Sequence, residues 1–269
     1  MKLLQKVSAV VLFSLLFIVT LFSSHTGHAI DQSNVLSANT SEQAIEVKVR
    51  VEGWESTIIP LTELEVEPYD ITDVVGNNEV GNWYKNNDTT LAIHAIIKAL
   101  ENEGMDVTDP YVIDVAYNGN YIAGIANEWE GDQGPASGWM YKLNGVLPSV
   151  GVGQQTLADQ DVIEFFYIGH YNTYDFGQIS ASDTNIQQGE DVKITVEGQP
   201  ASWGEPLPFE SIEQATLVIN GNSTTYTTDA NGEVTISFTE PGKYEITASK
   251  FGPNSYNLVR PVPITIVVE

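Results

Sequence analysis

Cysteine is absent from this sequence and basic residues are scarce. Its 269 residues include 11 Lys and Arg against 36 Asp and Glu, a formal net charge of -25 at pH 7. Without cysteine the chain forms no disulfide, so its domains must be held together by burial of apolar side chains. The lack of clustered Lys and Arg argues against nucleic acid and anionic membranes as partners, because positive charge is what binds their phosphates.

Histidine is also scarce, which argues against catalysis. Two of the four histidines lie in the first 29 residues, and the other two, His94 and His170, are far apart in the sequence. Two separated histidines without a cysteine make a poor zinc site. The sequence also has no Gly-x-Ser-x-Gly motif to expose a nucleophilic serine. We therefore predict no catalytic residue, no metal site and no enzymatic activity.

The first residues have the pattern of a secretory signal peptide. A lysine-containing start is followed by an apolar run at 9–22 and by a small-x-small cleavage pattern that ends at Ala29. The run is shorter than the ~20 residues that a membrane-spanning helix needs, so an uncleaved anchor is the weaker alternative. We predict a signal peptide at 1–29, a linker at 30–42, and a secreted or surface-associated chain without membrane insertion after cleavage.

The region after the linker has the pattern of a sheet covered by one helix. Its first strand, at 44–52, alternates apolar with charged residues, which is typical of a strand with one buried face. A helix is predicted around 90–100, with Asp88 or Thr89 as its N-cap and Gly104 at its end. Further strands are predicted at 57–66, 111–117 and 121–125, and a polar loop at 68–87. This order predicts a mainly β, α+β domain of β-grasp type.

Two predicted strands joined by a shaped loop form the most informative stretch. Trp139 and Tyr141 belong to an alternating run that Asn144-Gly145 ends with a tight turn, and a second alternating run covers 161–168. The large apolar residues on one side of both runs should face each other. We therefore predict that Trp139, Tyr141 and Phe165 are structural core residues.

The same stretch resembles a known family. The matching elements are Gly138 to Tyr141, Asn144-Gly145, Gly151 to Gly153, the acidic turn Asp159 to Asp161 and the strand Val162 to Tyr167. Together they resemble the transcobalamin-like C-terminal domain family, which implies a β-grasp-like fold at 43–176. In that family the β-domain closes over cobalamin together with a helical barrel. This chain has no barrel pattern, so the resemblance implies no resident cofactor and only weak or partner-assisted cobalamin binding. Gln160 departs from the family's Asp-Gly-Asp turn.

The other face of these two strands is the first candidate binding surface. It carries Met140, Lys142, Glu164 and Phe166. One helix covers only one side of a sheet, so an exposed Met and Phe on the other side would form a contact patch. Coverage of this face by loops or by the second domain is an equally weighted alternative.

Three loop residues complete the candidate ligand-binding set with Met140 and Phe166. Val150 and Val152 have no alternation that would bury them, and Trp129 precedes a glycine-containing loop. Each of these is a candidate contact for a ligand, although single apolar loop residues are often incidental.

From about Gly177 onward the sequence has only strand patterns. Alternating runs between 191 and 268 are separated by Asn-Gly and Pro-Gly turns, which predicts a β-sandwich at 177–269. The segments at 228–236 and 240–248 resemble bacterial immunoglobulin-like surface domains. In some Gram-positive surface domains a lysine is joined to an asparagine, and Lys193 lies on a suitable strand. Its partner is not identifiable from the sequence.

Two acidic clusters are candidate calcium-binding loops. The turns around Asp159 and Asp229 begin like such loops, but both lack the remaining ligands of the twelve-residue pattern, so turn chemistry explains them better.

Binding is the function class that the sequence leaves open. We predict a non-enzymatic surface module, of Gram-positive type, for a cell-surface protein, a wall component or a corrinoid-like small ligand. The alternative is a structural or adhesive surface protein without a small-molecule ligand.

Overall fold

The computed structural model describes residues 44–73, 89–203 and 205–269. The predicted signal peptide, the predicted linker and most of the predicted loop at 68–87 lie outside these residues. The described residues belong to one compact unit. Within these three ranges, no helix has both the length and the apolar character to cross a membrane.

The first half of the described chain contains one α-helix and seven strands. These elements are β1 Ile45–Glu52, β2 Thr57–Val66, α1 Ala92–Asn102, β3 Ile113–Ala116, β4 Tyr121–Ile125, β5 Glu128–Trp129, β6 Gly138–Leu143 and β7 Val162–Ile168, with a 3-10 turn at Ile71–Asp73. One sheet has the order β2-β1-β7-β6, in which β1 and β7 are parallel and the outer pairs antiparallel. Strands β3, β4 and β5 form a separate antiparallel sheet.

Helix α1 packs on one face of the four-stranded sheet. Its apolar residues recur at helical spacing, and Ile93, Ile96 and Leu100 are fully buried against this face. The helix ends as predicted, because Gly104 adopts the left-handed conformation (φ 78°) that glycine accepts without strain. The sheet with its single helix confirms the predicted mainly β, α+β fold class.

The start of α1 differs from the prediction. Neither Asp88 nor Thr89 is the N-cap, since the helix begins at Ala92 and its N-cap is Leu91. The first helical N–H groups are satisfied by the loop after β6 instead: Ala92 donates to the carbonyl of Gln155 (2.9 Å) and Ile93 to that of Val152 (3.1 Å). A distant segment therefore replaces the local side-chain cap that the sequence suggested.

His94 completes the start of this helix and makes stability depend on pH. Its Nδ1 accepts a hydrogen bond from the Leu91 N–H (3.1 Å), and burial lowers the pKa of His94 from 6.5 to about 4. The unfolded chain thus binds a proton at a higher pH than the folded chain does. The stability that His94 contributes as a neutral residue is complete above its unfolded pKa and is lost as the pH falls toward 4.

Replacing His94 with Gln should remove this part of the pH dependence. Glutamine still accepts the Leu91 N–H but does not titrate. Between about pH 7 and pH 5, the wild-type chain should lose about 2 kcal/mol more stability than His94→Gln, as measured by urea unfolding. Equal losses in the two proteins would show that His94 is protonated as readily in the folded state as in the unfolded state.

The described residues of the second half form ten strands in two sheets. They are β8 Tyr174–Ala181, β9 Asn185–Ile186, β10 Asp191–Pro200, β11 Glu210–Ser211, β12 Thr216–Ile219, β13 Asn222–Thr227, β14 Glu233–Ser237, β15 Gly242–Ser249, β16 Asn257–Val259 and β17 Ile264–Val268, with a 3-10 turn at Pro253–Ser255. One sheet has the order β11-β10-β8-β16, with β14 also paired to β10, and the other β13-β12-β15-β17-β9. Val192, Ile194 and Val196 of β10 share one buried cluster with Ile246 and Ile266 of the other sheet. The two sheets thus form a sandwich, as the alternating pattern predicted.

The second half covers the face of the first sheet that lies opposite α1. The predicted domain boundary between residues 176 and 177 lies within β8, and all of β8 pairs with strands of the second half. Phe166 is 1% exposed and packs against Tyr174 (ring centroids 6.1 Å apart) and Phe176 (5.1 Å). Val259 of β16 joins the same cluster, with Met140 packed against it. The predicted exposed patch is therefore wrong for Phe166, which the second domain covers, whereas Met140 is half-buried.

A buried ion cluster links the same two halves. Arg50 and Glu52, which alternation placed on the polar side of β1, are each only 2% exposed. Glu52 accepts from Arg50 (2.6 Å) and from Arg260 of the second half (2.5 Å). Arg260 also donates to the carbonyl groups of Gly53, Trp54 and Glu55, and Arg50 donates back to the Arg260 carbonyl. At the C-terminal end of β1, the face that carries the charged residues is therefore buried between the two halves.

Candidate functional site: the pocket beside β6

Strand β6 is at the edge of the four-stranded sheet. The Asn144 N–H donates to the Val162 carbonyl (2.9 Å). The backbone groups of the even-numbered residues of β6 therefore bond to β7, and the backbone groups of the odd-numbered residues point toward the outer edge of the sheet. At the two ends this outer edge is closed: Trp139 N–H donates to the Tyr121 hydroxyl (3.2 Å) and Leu143 N–H to the Val146 carbonyl (2.9 Å). The backbone of Tyr141 between them faces outward without a neighbouring strand in the described sheet.

A cavity of about 230 Å³ lies along this edge. Its walls are mainly apolar and come from β4, β6 and the loop after β6, and Trp203 from the second half contributes one side. We call it the β6 pocket; the residues used below are Asn120, Tyr121, Met140, Tyr141, Val150 and Trp203. Trp203 is 66% exposed and Val150 39%, so large apolar surface remains accessible at this pocket.

The loop after β6 is held in place by contacts from three directions. The Tyr141 hydroxyl donates to the Val150 carbonyl (2.6 Å), which fixes the tip of the loop over the strand. Gly151 lies against residue 120 so closely that a Cβ would be 2.1 Å from the Asn120 carbonyl oxygen, which explains the glycine. Val152 is 2% exposed within the core, and its carbonyl accepts from α1. These contacts hold the loop in place as one wall of the β6 pocket. The loop also supplies the carbonyl acceptors for the first N–H groups of α1.

The polar groups of the β6 pocket are few and uncharged. Burial raises the pKa of Tyr121 to about 12 and also raises the pKa of Tyr141, so both phenols keep their protons at neutral pH. Asn120 Oδ1 is buried and has no hydrogen-bond partner in the described structure. A buried acceptor without a partner is unfavourable, so a ligand that brings an N–H or O–H group to Asn120 would satisfy it.

The structure brings together only some of the candidate ligand-binding residues. Met140, Val150 and Val152 line the β6 pocket, but Val152 is a core residue, so the expectation that nothing buries it is wrong. Phe166 faces the second half, and Trp129 lies in β5 of the three-stranded sheet. The core residues are all buried: Trp139 stacks on Phe165 with ring centroids 5.2 Å apart, and Tyr141 is 7% exposed.

Sequence reasoning missed Asn120, Tyr121 and Trp203 as pocket residues. Asn120 and Tyr121 lie where the sequence predicts only the turn between two strands. Trp203 lies in an irregular segment much later in the chain. The signal that the sequence offers is a tryptophan between Pro200 and Pro206, because large aromatic side chains are frequent at binding surfaces.

Other charged residues of interest are engaged in local structure. Asp159 accepts from the Glu46 N–H (2.9 Å), and Asp161 accepts from Asn144 (2.7 Å) and from the Ala158 N–H (2.8 Å). The acidic turn therefore connects β1 to the β6–β7 loop. Gln160, in the middle of this turn, adopts a left-handed conformation (φ 69°). Lys193 forms an exposed ion pair with Glu233 (2.7 Å).

Comparison with known families agrees with the transcobalamin-like resemblance of the first half. Residues 95–169, from α1 through β7, match a family described as a domain of unknown function (DUF4430), which is a transcobalamin-like family. The match includes both strands of the motif and most of the β6 pocket. It covers less than half of the chain. No curated protein matches the sequence.

Proposed function

We propose that the protein is a secreted, surface-associated and non-enzymatic binding module whose ligand occupies the β6 pocket. One observation carries this proposal: an apolar cavity with a buried, unpartnered acceptor, Asn120 Oδ1, lies beside an exposed tryptophan, Trp203. Ligand sites typically combine apolar walls with a small number of placed polar groups. The ligand class that fits is a small molecule with a flat apolar face and an N–H or O–H donor.

A corrinoid-like ligand is the first candidate, because the matched family is transcobalamin-like. The β6 pocket, at about 230 Å³, is smaller than the roughly 300–1,000 Å³ of typical ligand sites, so it would hold only one edge of such a ligand. We expect affinity no tighter than about micromolar for the isolated chain, since most of the ligand would stay in water.

A structural or adhesive role is the second candidate. It is supported by the burial of Arg50, Glu52 and Phe166 between the two halves, which makes the described chain a continuous, internally bonded body. In this role the second half would act as an immunoglobulin-like spacer and the β6 pocket would have no small-molecule ligand.

Calorimetric titration of the purified protein with cobalamins and with cell-wall polysaccharides tests these roles. If the β6 pocket binds a cobalamin, Trp203→Ala and Asn120→Ala should each weaken binding by about tenfold or more, because each removes a contact worth at least ~1.4 kcal/mol. Tyr226→Ala, which truncates an exposed aromatic residue of β13, is the matched control and should bind like the wild type.

The remaining outcomes separate the two roles. Nanomolar cobalamin binding without a partner would show that the β6 pocket suffices and would refute the structural alternative. Binding of polysaccharide alone, unchanged in Trp203→Ala, would favour the adhesive role and refute the pocket as the binding site.

A further inference from the structure

Lys142 of β6 is a buried lysine that neither proposed role uses. It is 7% exposed, and its Nζ lies 3.1 Å from the centroid of the Phe176 ring. Within the described residues its hydrogen-bond partner is Oε1 of Gln199, at 3.3 Å. Burying an ammonium group with one neutral acceptor is costly, and burial lowers the pKa of Lys142 to about 8. A substantial fraction of the amine is therefore neutral and nucleophilic under mildly alkaline conditions.

Gln199 is held with its carboxamide next to this amine. Its Nε2 donates to the Leu207 carbonyl (2.8 Å), which fixes the plane of the amide, while Oε1 accepts from Lys142. The electrophilic carbon Cδ is therefore one covalent bond away from the oxygen that Nζ contacts at 3.3 Å. The two residues belong to different halves of the molecule, Lys142 to β6 and Gln199 to β10.

Glu164 supplies a carboxylate on the same wall. It is directly opposite Lys142 in the β6–β7 ladder, and both residues line a cleft of about 550 Å³ together with Gln199 and Phe176. Such a carboxylate can accept a proton from an attacking amine and deliver it to a leaving nitrogen.

We propose that Lys142 and Gln199 join in an intramolecular amide cross-link between the two halves. The neutral Nζ attacks Cδ of Gln199, Glu164 takes one proton from Nζ and passes it to Nε2, and the Cδ–Nε2 bond breaks to release ammonia. One N–C bond forms, one breaks, and no oxidant or cofactor is consumed. The cross-link goes beyond the proposed function, because it requires no ligand in the β6 pocket.

Intact-mass spectrometry of the purified protein tests the cross-link. The expected mass is that of the chain minus one ammonia, and digestion should yield a branched peptide that contains Lys142 and Gln199. Lys142→Met, which keeps the apolar stem, and Glu164→Gln should both show the full sequence mass. A wild-type protein at full sequence mass, after prolonged incubation at mildly alkaline pH, would overturn the proposal.

A second source of ammonia loss has to be distinguished. Asn-Gly sequences can also lose ammonia by closing on their own backbone, and the chain has four of them, at Asn118-Gly119, Asn144-Gly145, Asn220-Gly221 and Asn231-Gly232. That product contains no branched peptide and is unaffected by Lys142→Met. Equal loss of ammonia from the wild type and from Lys142→Met, with no branched peptide in the wild-type digest, would therefore overturn the cross-link. Gln199→Ala, an independent variant at the other residue, should retain the full mass expected for its sequence.

Discussion

Replacing Glu52 with Gln should lower the free energy of unfolding by about 3–5 kcal/mol, the usual cost of removing one partner of a buried ion cluster. Gln has nearly the same shape as Glu, so packing is preserved and only the charge is lost. Arg50 and Arg260, at 2% and 7% exposed, would then lose the carboxylate that binds both of them. Chemical denaturation of the two proteins under identical conditions measures the loss.

The same substitution at Glu233 is the matched control. Glu233 pairs with Lys193 at 2.7 Å, but the two side chains remain 35% and 49% exposed. Exposed pairs contribute about 0–1 kcal/mol, so Glu233→Gln should unfold almost like the wild type. Similar stabilities for Glu52→Gln and Glu233→Gln would show that solvent enters the junction and that the ion cluster is not buried in solution.

Glu52→Gln also reports on how the two halves unfold. The sequence predicts two domains, at 43–176 and 177–269, which we expect to fold independently. The ion cluster nevertheless links Arg260 of the second half to Glu52 of the first. If the halves unfold together, calorimetry should show one transition that shifts as a whole. If they are independent, only the transition of the half that loses most should move.

Replacing Trp139 with Ala should cost about 3–5 kcal/mol, the range for truncating a large buried aromatic residue. Trp139 is 1% exposed, stacks on Phe165 and meets Tyr167 edge-on with ring centroids 5.2 Å apart. Its indole N–H donates to the Glu128 carbonyl (3.0 Å), so truncation leaves both a cavity and an unpaired backbone acceptor. Thermal and urea unfolding measure the effect.

Trp203→Ala is the control for this prediction. Trp203 is 66% exposed, so its truncation should change stability by less than about 0.5 kcal/mol, as is usual for surface positions. A Trp139→Ala protein as stable as the wild type would mean that this face of β6 is not the core face. The pair of variants thus separates the core face of the motif from the ligand-facing rim.

The local pattern of the sequence determined much of the first half. The positions of β1, β2, β4, β6, β7 and α1, the left-handed glycine after the helix and the shared face of Trp139, Tyr141 and Phe165 all follow from alternation, helical spacing and turn chemistry. These features depend on residues close in sequence or on side-chain period, which a single sequence displays directly.

The tertiary structure decided which faces are covered and which residues meet. Alternation assigns Arg50, Glu52, Met140 and Phe166 to one side of a sheet, but it cannot say what lies against that side. That depends on the packing of the second half, through Tyr174, Phe176 and Arg260. The β6 pocket likewise needs Trp203, which is 38 residues along the chain from Phe165, the nearest other residue of the pocket wall. Contacts over such separations leave no periodic signal, because each partner satisfies only its own local pattern.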